Sequence, residues 1–198
     1  MRKVAIYGGS FNPVHFGHIG LARWVLEHTE TDEVWLMVSP NNPLKDSSIL
    51  ADEQERLKGV KEAIEEDERE RGKIEGKKMR ACDFEFGLPR PSYTVDTLRA
   101  LMEAYQDVEF RLLIGEDNWQ IFDRWKEWKW ILEKVEVLVY PRKCTKERCT
   151  MYDLFTKERC TMYDLFTKDG CTKGVKVLEG APFFDISSTE IREKRKKS

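Results

Sequence analysis

Residues 4–19 read Val-Ala-Ile-Tyr-Gly-Gly-Ser-Phe-Asn-Pro-Val-His-Phe-Gly-His-Ile, and no other stretch restricts the fold as much. The apolar run Val4 to Tyr7 has the length and composition of a buried strand. It stops at Gly8 and Gly9, where the backbone can turn and approach a ligand with no side chain in the way. The chain then turns through Ser10, Asn12 and Pro13, and helical spacing begins near Phe16. His15 and His18, two of the chain's three histidines, stand three residues apart. On a starting helix that spacing puts both rings on one face, beside backbone N–H groups with no intrahelical partner. Imidazoles, free amides and glycines together suit phosphate oxygens. A structural reading stands level with this one. Neither a Walker loop nor a Gly-x-Gly-x-x-Gly fingerprint is present, and a His-x-x-His lacking a third nearby ligand makes a poor metal site.

The rest of the chain alternates between strand and helix patterns. Ile19, Ala22, Val25 and Leu26 carry an apolar helical stripe to about His28. Residues 33–39 form a nearly continuous apolar strand, as a strand covered on both faces should. Such alternation predicts a doubly wound parallel sheet with ligand groups at the carboxyl ends of its strands. One such end opens the Ser39–Lys45 loop, held extended by two prolines, with Lys45 as its cation. A capping-box pattern at Asp52–Glu55 starts a helix running to about Glu66, and residues 65–78 read as a solvated helix end and loop. Met79–Phe86 reads as a short extended segment. After Pro89 and Pro91, Ser92 is placed to cap a helix that turns Val95, Leu98, Leu101 and Met102 inward, with Tyr93 and Thr94 at its start. Val108–Gly115 reads as a strand, and Asp117 just beyond it is placed to accept hydrogen bonds from a ribose or an adenine edge. Trp119, Phe122, Trp125, Trp128 and Trp130 follow, mostly as core aromatics. A strand over 135–140 ends at Pro141-Arg142, where Arg142 is a candidate phosphate or carboxylate contact. A last strand near 175–178 precedes Ser187 and Glu190, spaced as a helix start with exposed amides, and Arg192 lies in its first turns.

A length of 198 residues fits one α/β domain. With 35% charged residues and a net charge of −2 there is no bulk electrostatic case for nucleic acid. The N-terminus shows no apolar signal region and no run reaches membrane-spanning length, so no membrane partner and a cytoplasmic location are expected. Five cysteines are read as reduced thiols. Residues 145–155 recur unchanged as 156–166, and a third copy begins at Thr167. That is too short for a solenoid, and Cys149, Cys160 and Cys171 match no zinc spacing. Residues 145–173 are therefore read as a tandem-repeat insertion.

Four segments in order, 8–18, 89–98, 114–125 and 186–192, resemble the signatures of the His-x-Gly-His nucleotidyltransferases, and the 114–125 pattern resembles nicotinate-nucleotide adenylyltransferases in particular. The resemblance implies a Rossmann-like α/β fold and adenylyl transfer from ATP to nicotinate mononucleotide. It assigns Gly8, Gly9, Ser10, Phe11, His15, His18, Ile186, Ser187, Ser188 and Arg192 to ATP, with His18 at the α-phosphate. His15, His18, Lys45 and Arg192 would be catalytic, and Mg²⁺ would accompany ATP. Asn42, Tyr93, Thr94, Gly115, Asp117, Trp125 and Arg142 would line the mononucleotide site, with Trp125 stacked on the pyridine ring. Residues 42–45 depart from the family's Pro-Pro-His-Lys loop and leave Lys45 as its transferable element. The family's further helix and tail beyond the arginine have no counterpart before Ser198, and homo-oligomerisation stays open. The alternatives are a pantetheine-phosphate adenylyltransferase, or a non-catalytic nucleotide-binding or thiol-sensing module.

Overall fold

The central strands of the sheet carry apolar residues on both of their faces, and the chain folds to cover both. The computed structural model describes residues 1–40, 52–141, 174–182, 184, 188 and 191–192. Its strands are β1 (Arg2–Gly9), β2 (Glu33–Val38), β3 (Lys78–Cys82), β4 (Val108–Gly115), β5 (Glu136–Tyr140) and β6 (Val175–Val177). They form one sheet in the order β3-β2-β1-β4-β5-β6, and each neighbouring pair is parallel. The helices are α1 (Phe16–His28), α2 (Glu53–Arg71), α3 (Thr94–Ala104), α4 (Glu116–Trp119) and α5 (Trp128–Lys134).

Alternation along each strand assigns the faces. Ala5 and Tyr7 of β1, Val34, Leu36 and Val38 of β2, and Leu138 of β5 pack with Ile19, Val25 and Leu26 of α1 and Leu57, Val60 and Ile64 of α2. Val4 and Ile6, Trp35 and Met37, and Phe110, Leu112 and Ile114 pack on the other side with Leu98 and Leu101 of α3, Trp119 and Ile131. Each such fully buried side chain contributes about 1.5–3 kcal/mol. The expected doubly wound Rossmann-like fold is what forms. The strand order reverses between β1 and β4, so a crevice opens at their carboxyl ends, Gly9 and Gly115.

Three local expectations change. α2 continues to Arg71 rather than ending near Glu66. The reason is Asp67, 7% exposed, which accepts a 2.8 Å bond from Arg23 of α1 and ties the two helices together. A run of charges was masking one inward-facing residue. Residues 79–86 divide into β3 and a 3-10 turn at Phe84–Gly87. Ser92 does not cap α3. Tyr93 occupies that position without a side-chain cap, and the Ser92 hydroxyl donates to Glu85 instead, at 3.5 Å. Asp52 does cap α2, accepting from the Gln54 N–H at 2.8 Å. Among the described residues no helix is long and apolar enough to cross a membrane.

Candidate functional site

The turn between β1 and α1 is built from close contacts. Gly8 is exposed and Gly9 half-buried. A Cβ at Gly9 would come within 3.1 Å of the Phe11 ring, which folds back over it. Phe11 itself is buried at 2% exposure with φ of +43°. A bulky residue in the left-handed region costs about 1–3 kcal/mol, and such strain persists only where packing holds it. Here the packing is aromatic, with ring centroids 5.8 Å from Tyr7 and 5.0 Å from His18. The Ser10 and Asn12 side chains are buried in the same turn.

His15 precedes α1 with extended backbone torsions, and His18 lies in its first turn. Their ring centroids are 3.7 Å apart. The His15 backbone N–H donates to Nδ1 of His18 at 3.2 Å. With Nδ1 accepting, the neutral His18 ring carries its proton on Nε2, a hydrogen-bond donor. Gly17 between them leaves little room for a side chain. A Cβ there would stand 3.1 Å from Nδ1 of His15 and 2.9 Å from Cβ of Phe184. Gly20, one turn on, faces the tip of the same Phe184 ring. The two glycines thus make a flat strip on α1 where the C-terminal segment docks. Beyond Phe184, the Ser188 hydroxyl donates to the Pro13 carbonyl at 2.9 Å and the Arg192 guanidinium donates to the Asn12 carbonyl. Residues 180 positions apart in sequence therefore meet on one turn.

From His18 the cluster extends across the switch point. Tyr7 lies 6.1 Å from the His18 ring, and its hydroxyl is 3.3 Å from that of Tyr140 at the end of β5. A Cβ on Gly115 would meet the Tyr140 ring at 3.1 Å and a carboxylate oxygen of Asp117 at 2.5 Å. Gly115 is thus the residue that lets the exposed Asp117 carboxylate fold back against the end of β4. A second group joins the start of α3, with Tyr93 and Thr94, to the segment carrying Trp125 through Lys126. Lys126 lies 5.0 Å over the Tyr93 ring and pairs with Asp96 at 2.8 Å, while Arg99 pairs with Glu127 at 2.6 Å. Trp125 is half-buried against Phe122, at 5.1 Å.

Of the residues singled out from sequence, Gly8, Gly9, Ser10, Phe11, His15, His18, Gly115, Asp117, Ser188 and Arg192 fall in the first group. Tyr93, Thr94 and Trp125 fall in the second. Asn42, Lys45, Arg142, Ile186, Ser187 and the 145–173 repeat lie outside the described residues. Tyr7, Tyr140 and Lys126 were not anticipated. For the two tyrosines the signal was there, since each is a hydroxyl-bearing ring near the carboxyl end of a core strand.

A model of the family "Cytidylyltransferase-like" matches residues 6–194. The "Probable nicotinate-nucleotide adenylyltransferase" of Flavobacterium psychrophilum is 35% identical over 191 residues, covering 96% of this chain and 85% of that protein. The chain belongs to the cytidylyltransferase-like family. Another family member of that name, from Bacteroides thetaiotaomicron, is 49% identical over 140 residues. That match covers 71% of this chain and spans 65% of the relative's length, just under two thirds. In fold, this chain is similar to Plasmodium falciparum nicotinic acid mononucleotide adenylyltransferase complexed with NaAD. The TM-score is 0.68 at 17% identity, over 98% of this chain and 83% of that one.

Proposed function

We propose that the chain transfers the adenylyl group of ATP to nicotinate mononucleotide, giving nicotinate adenine dinucleotide and pyrophosphate. The observation that carries this reading is the convergence on one strained turn of the His15–His18 pair, the first amides of α1, Ser188 and Arg192. Family membership supports the acceptor, because relatives across the match bear that name.

In the reaction a phosphate oxygen of the mononucleotide attacks the α-phosphorus of ATP in line. The bond from that phosphorus to the bridging oxygen of pyrophosphate breaks, and the electron pair leaves with pyrophosphate. The nucleophile is already an anion near neutral pH, so no general base is required. Rate enhancement comes from positioning and from donors aimed at developing charge. Gly8, Gly9, Ser10 and Phe11 form the floor under ATP. His15 holds phosphate oxygens, and the Nε2–H of His18 donates to the α-phosphate. Lys45, Ser187, Ser188 and Arg192 take the pyrophosphate side, with Ile186 leading into that segment. Asn42, Tyr93, Thr94, Gly115, Asp117 and Arg142 hold the mononucleotide, and Trp125 stacks on its pyridine ring. Among the described residues no group of three His, Cys, Asp or Glu comes together as a metal cage. Mg²⁺ would travel on the phosphates of ATP, where phosphate and water oxygens serve as its ligands.

The same reading makes residues 1–198 one nucleotidyltransferase domain with 145–173 as an insertion, working in the cytoplasm, with self-association left to measurement. Pyrophosphate release from ATP tests the function, with nicotinate mononucleotide, its amide analogue or phosphopantetheine as acceptor. Fastest release with nicotinate mononucleotide is the expected result. Release only with phosphopantetheine, or none with any acceptor, overturns the reading.

A further inference from the structure

Behind the turn at residues 10–18 lies a polar network that the phosphate chemistry does not use. Its centre is Ser39, the first residue after β2. Each polar group of Ser39 reaches a different part of the chain. Its backbone N–H donates to the Gly9 carbonyl at the end of β1, at 2.9 Å. Its carbonyl accepts from Nη1 of Arg56 in the first turn of α2, at 2.9 Å. Its hydroxyl bonds to the carboxyl of Glu85.

Arg56 and Glu85 extend this arrangement in opposite directions. The Arg56 side chain is buried, 4% exposed. Its Nη1 also donates to the Ser10 carbonyl at 2.7 Å, and Nη2 donates to the Pro40 carbonyl at 3.3 Å. One planar guanidinium thus grips the chain leaving β1 and the chain leaving β2, a fork that a lysine could not reproduce. Glu85 is 7% exposed on the opposite side of Ser39. Besides Ser39, it accepts from the Thr97 hydroxyl at 2.9 Å and the Ser92 hydroxyl at 3.5 Å. Those two residues flank Tyr93 and Thr94 at the start of α3. Burial holds the carboxyl above the ordinary glutamate range and lowers the pKa of the Arg56 guanidinium, so both groups carry a desolvation cost. A buried ionisable group is strongly destabilising once its partners are removed. Nothing in the packing of the sheet requires either group, because the facing core is apolar.

We propose that Arg56, Ser39 and Glu85 form a brace that fixes the turn carrying Ser10 against the Ser92–Thr97 wall, and that Arg56 and Glu85 are positioning residues for both substrates. As positioning residues they rest on the adenylyl-transfer reading, because the brace joins the side assigned to ATP with the side assigned to the acceptor. The brace predicts a cross-effect. Among the described residues the Glu85 carboxyl bonds to Ser39 and, on the acceptor side, to Ser92 and Thr97, yet changing it should loosen the turn on the ATP side.

Amide hydrogen exchange on the full chain without nucleotide tests the brace directly. Glu85→Gln keeps the volume but removes an acceptor from three converging hydroxyls. It should speed exchange at the Ser10 to Asn12 amides by about fivefold or more, the size of a coupling between residues sharing one network. Arg56→Met should do the same, and the double variant should exceed the larger single effect by little. If Arg56→Met does not fold, Ser39→Ala takes its place, since it cuts the Glu85 link and leaves the carbonyl for Arg56. In turnover, Glu85→Gln should raise the KM for ATP several-fold. Unchanged exchange at residues 10–12 in Glu85→Gln would overturn the proposal. So would faster exchange spread evenly through the sheet, or strictly multiplicative effects in the double variant. Absence of pyrophosphate release from the unmodified chain would end the reading of the reaction, and the exchange result would still decide whether the brace exists.

Discussion

One hydrogen bond decides what the His18 ring can offer. Because Nδ1 accepts from the His15 backbone N–H at 3.2 Å, the ring presents Nε2–H as a donor at the start of α1. A donor aimed at developing phosphate charge acts mainly in the transition state. His18→Ala should therefore lower kcat by about 10²-fold or more with little change in KM; near-native kcat in steady-state kinetics would remove it from catalysis. At Glu85 the sign of the pH effect follows from burial. The carboxyl keeps its proton to higher pH in the folded chain than in the unfolded one. Folding is thus favoured below the ordinary carboxylate range, and that advantage is lost as pH rises through the raised folded value. In thermal melts across mildly acidic pH, the midpoint of the parent minus that of Glu85→Gln should fall as pH increases. A flat difference would mean that Glu85 ionises as freely as in the unfolded chain.

At the scale of elements, α1 and the C-terminal segment are matched through Gly17 and Gly20. Replacing Gly20 by Ala improves helix propensity by about 1 kcal/mol, yet the new Cβ collides with the Phe184 ring. The helix is held by its buried stripe, so the ring is what must give. Gly20→Ala should leave the thermal midpoint equal or higher while raising the KM for ATP several-fold, because Ser188 and Arg192 follow Phe184. Unchanged KM would show that the segment keeps its place without that strip. The stretch between α4 and α5 makes the other element-scale prediction. Trp125 sits beside Phe122 and next to Lys126, which lies over Tyr93. Losing a stacking ring costs about 1–3 kcal/mol, so Trp125→Ala should raise the KM for nicotinate mononucleotide and hardly change that for ATP. Equal rises for both substrates would make Trp125 a core residue only.

For the whole molecule the repeat is the informative segment. β5 and β6 are parallel neighbours, so the chain between them must cross over, which takes a dozen or more residues. Deleting residues 156–166 leaves Phe155 followed by Thr167, as Thr156 follows Phe155 in the parent, and keeps more than that minimum. The shorter connection changes closure entropy by only a fraction of a kcal/mol. The deleted chain should fold and keep activity within a few-fold of the parent, by circular dichroism and pyrophosphate release. A folded but inactive deletion would make the second copy part of the working enzyme.

Where periodicity is strong, sequence was sufficient. Alternating apolar residues in β1, β2 and β4 force a sheet buried on both faces, and alternation with helices forces parallel order. The Gly8–His18 string likewise placed the turn between β1 and α1, because the apolar strand run stops at a glycine pair and helical spacing begins near Phe16. Asp67, Arg56 and Glu85 were not legible. Each is one charge among many in a chain that is 35% charged, and local pattern does not tell a buried charge from a solvated one. Ser92 shows the same limit, since a hydroxyl before a helix reads as a cap until a buried carboxylate competes for it. Sequence alone thus determined the sheet, its order of elements and the turn at its centre. Tertiary structure alone decided which charges are buried and what they grip, because desolvation and partner choice depend on groups distant in the chain.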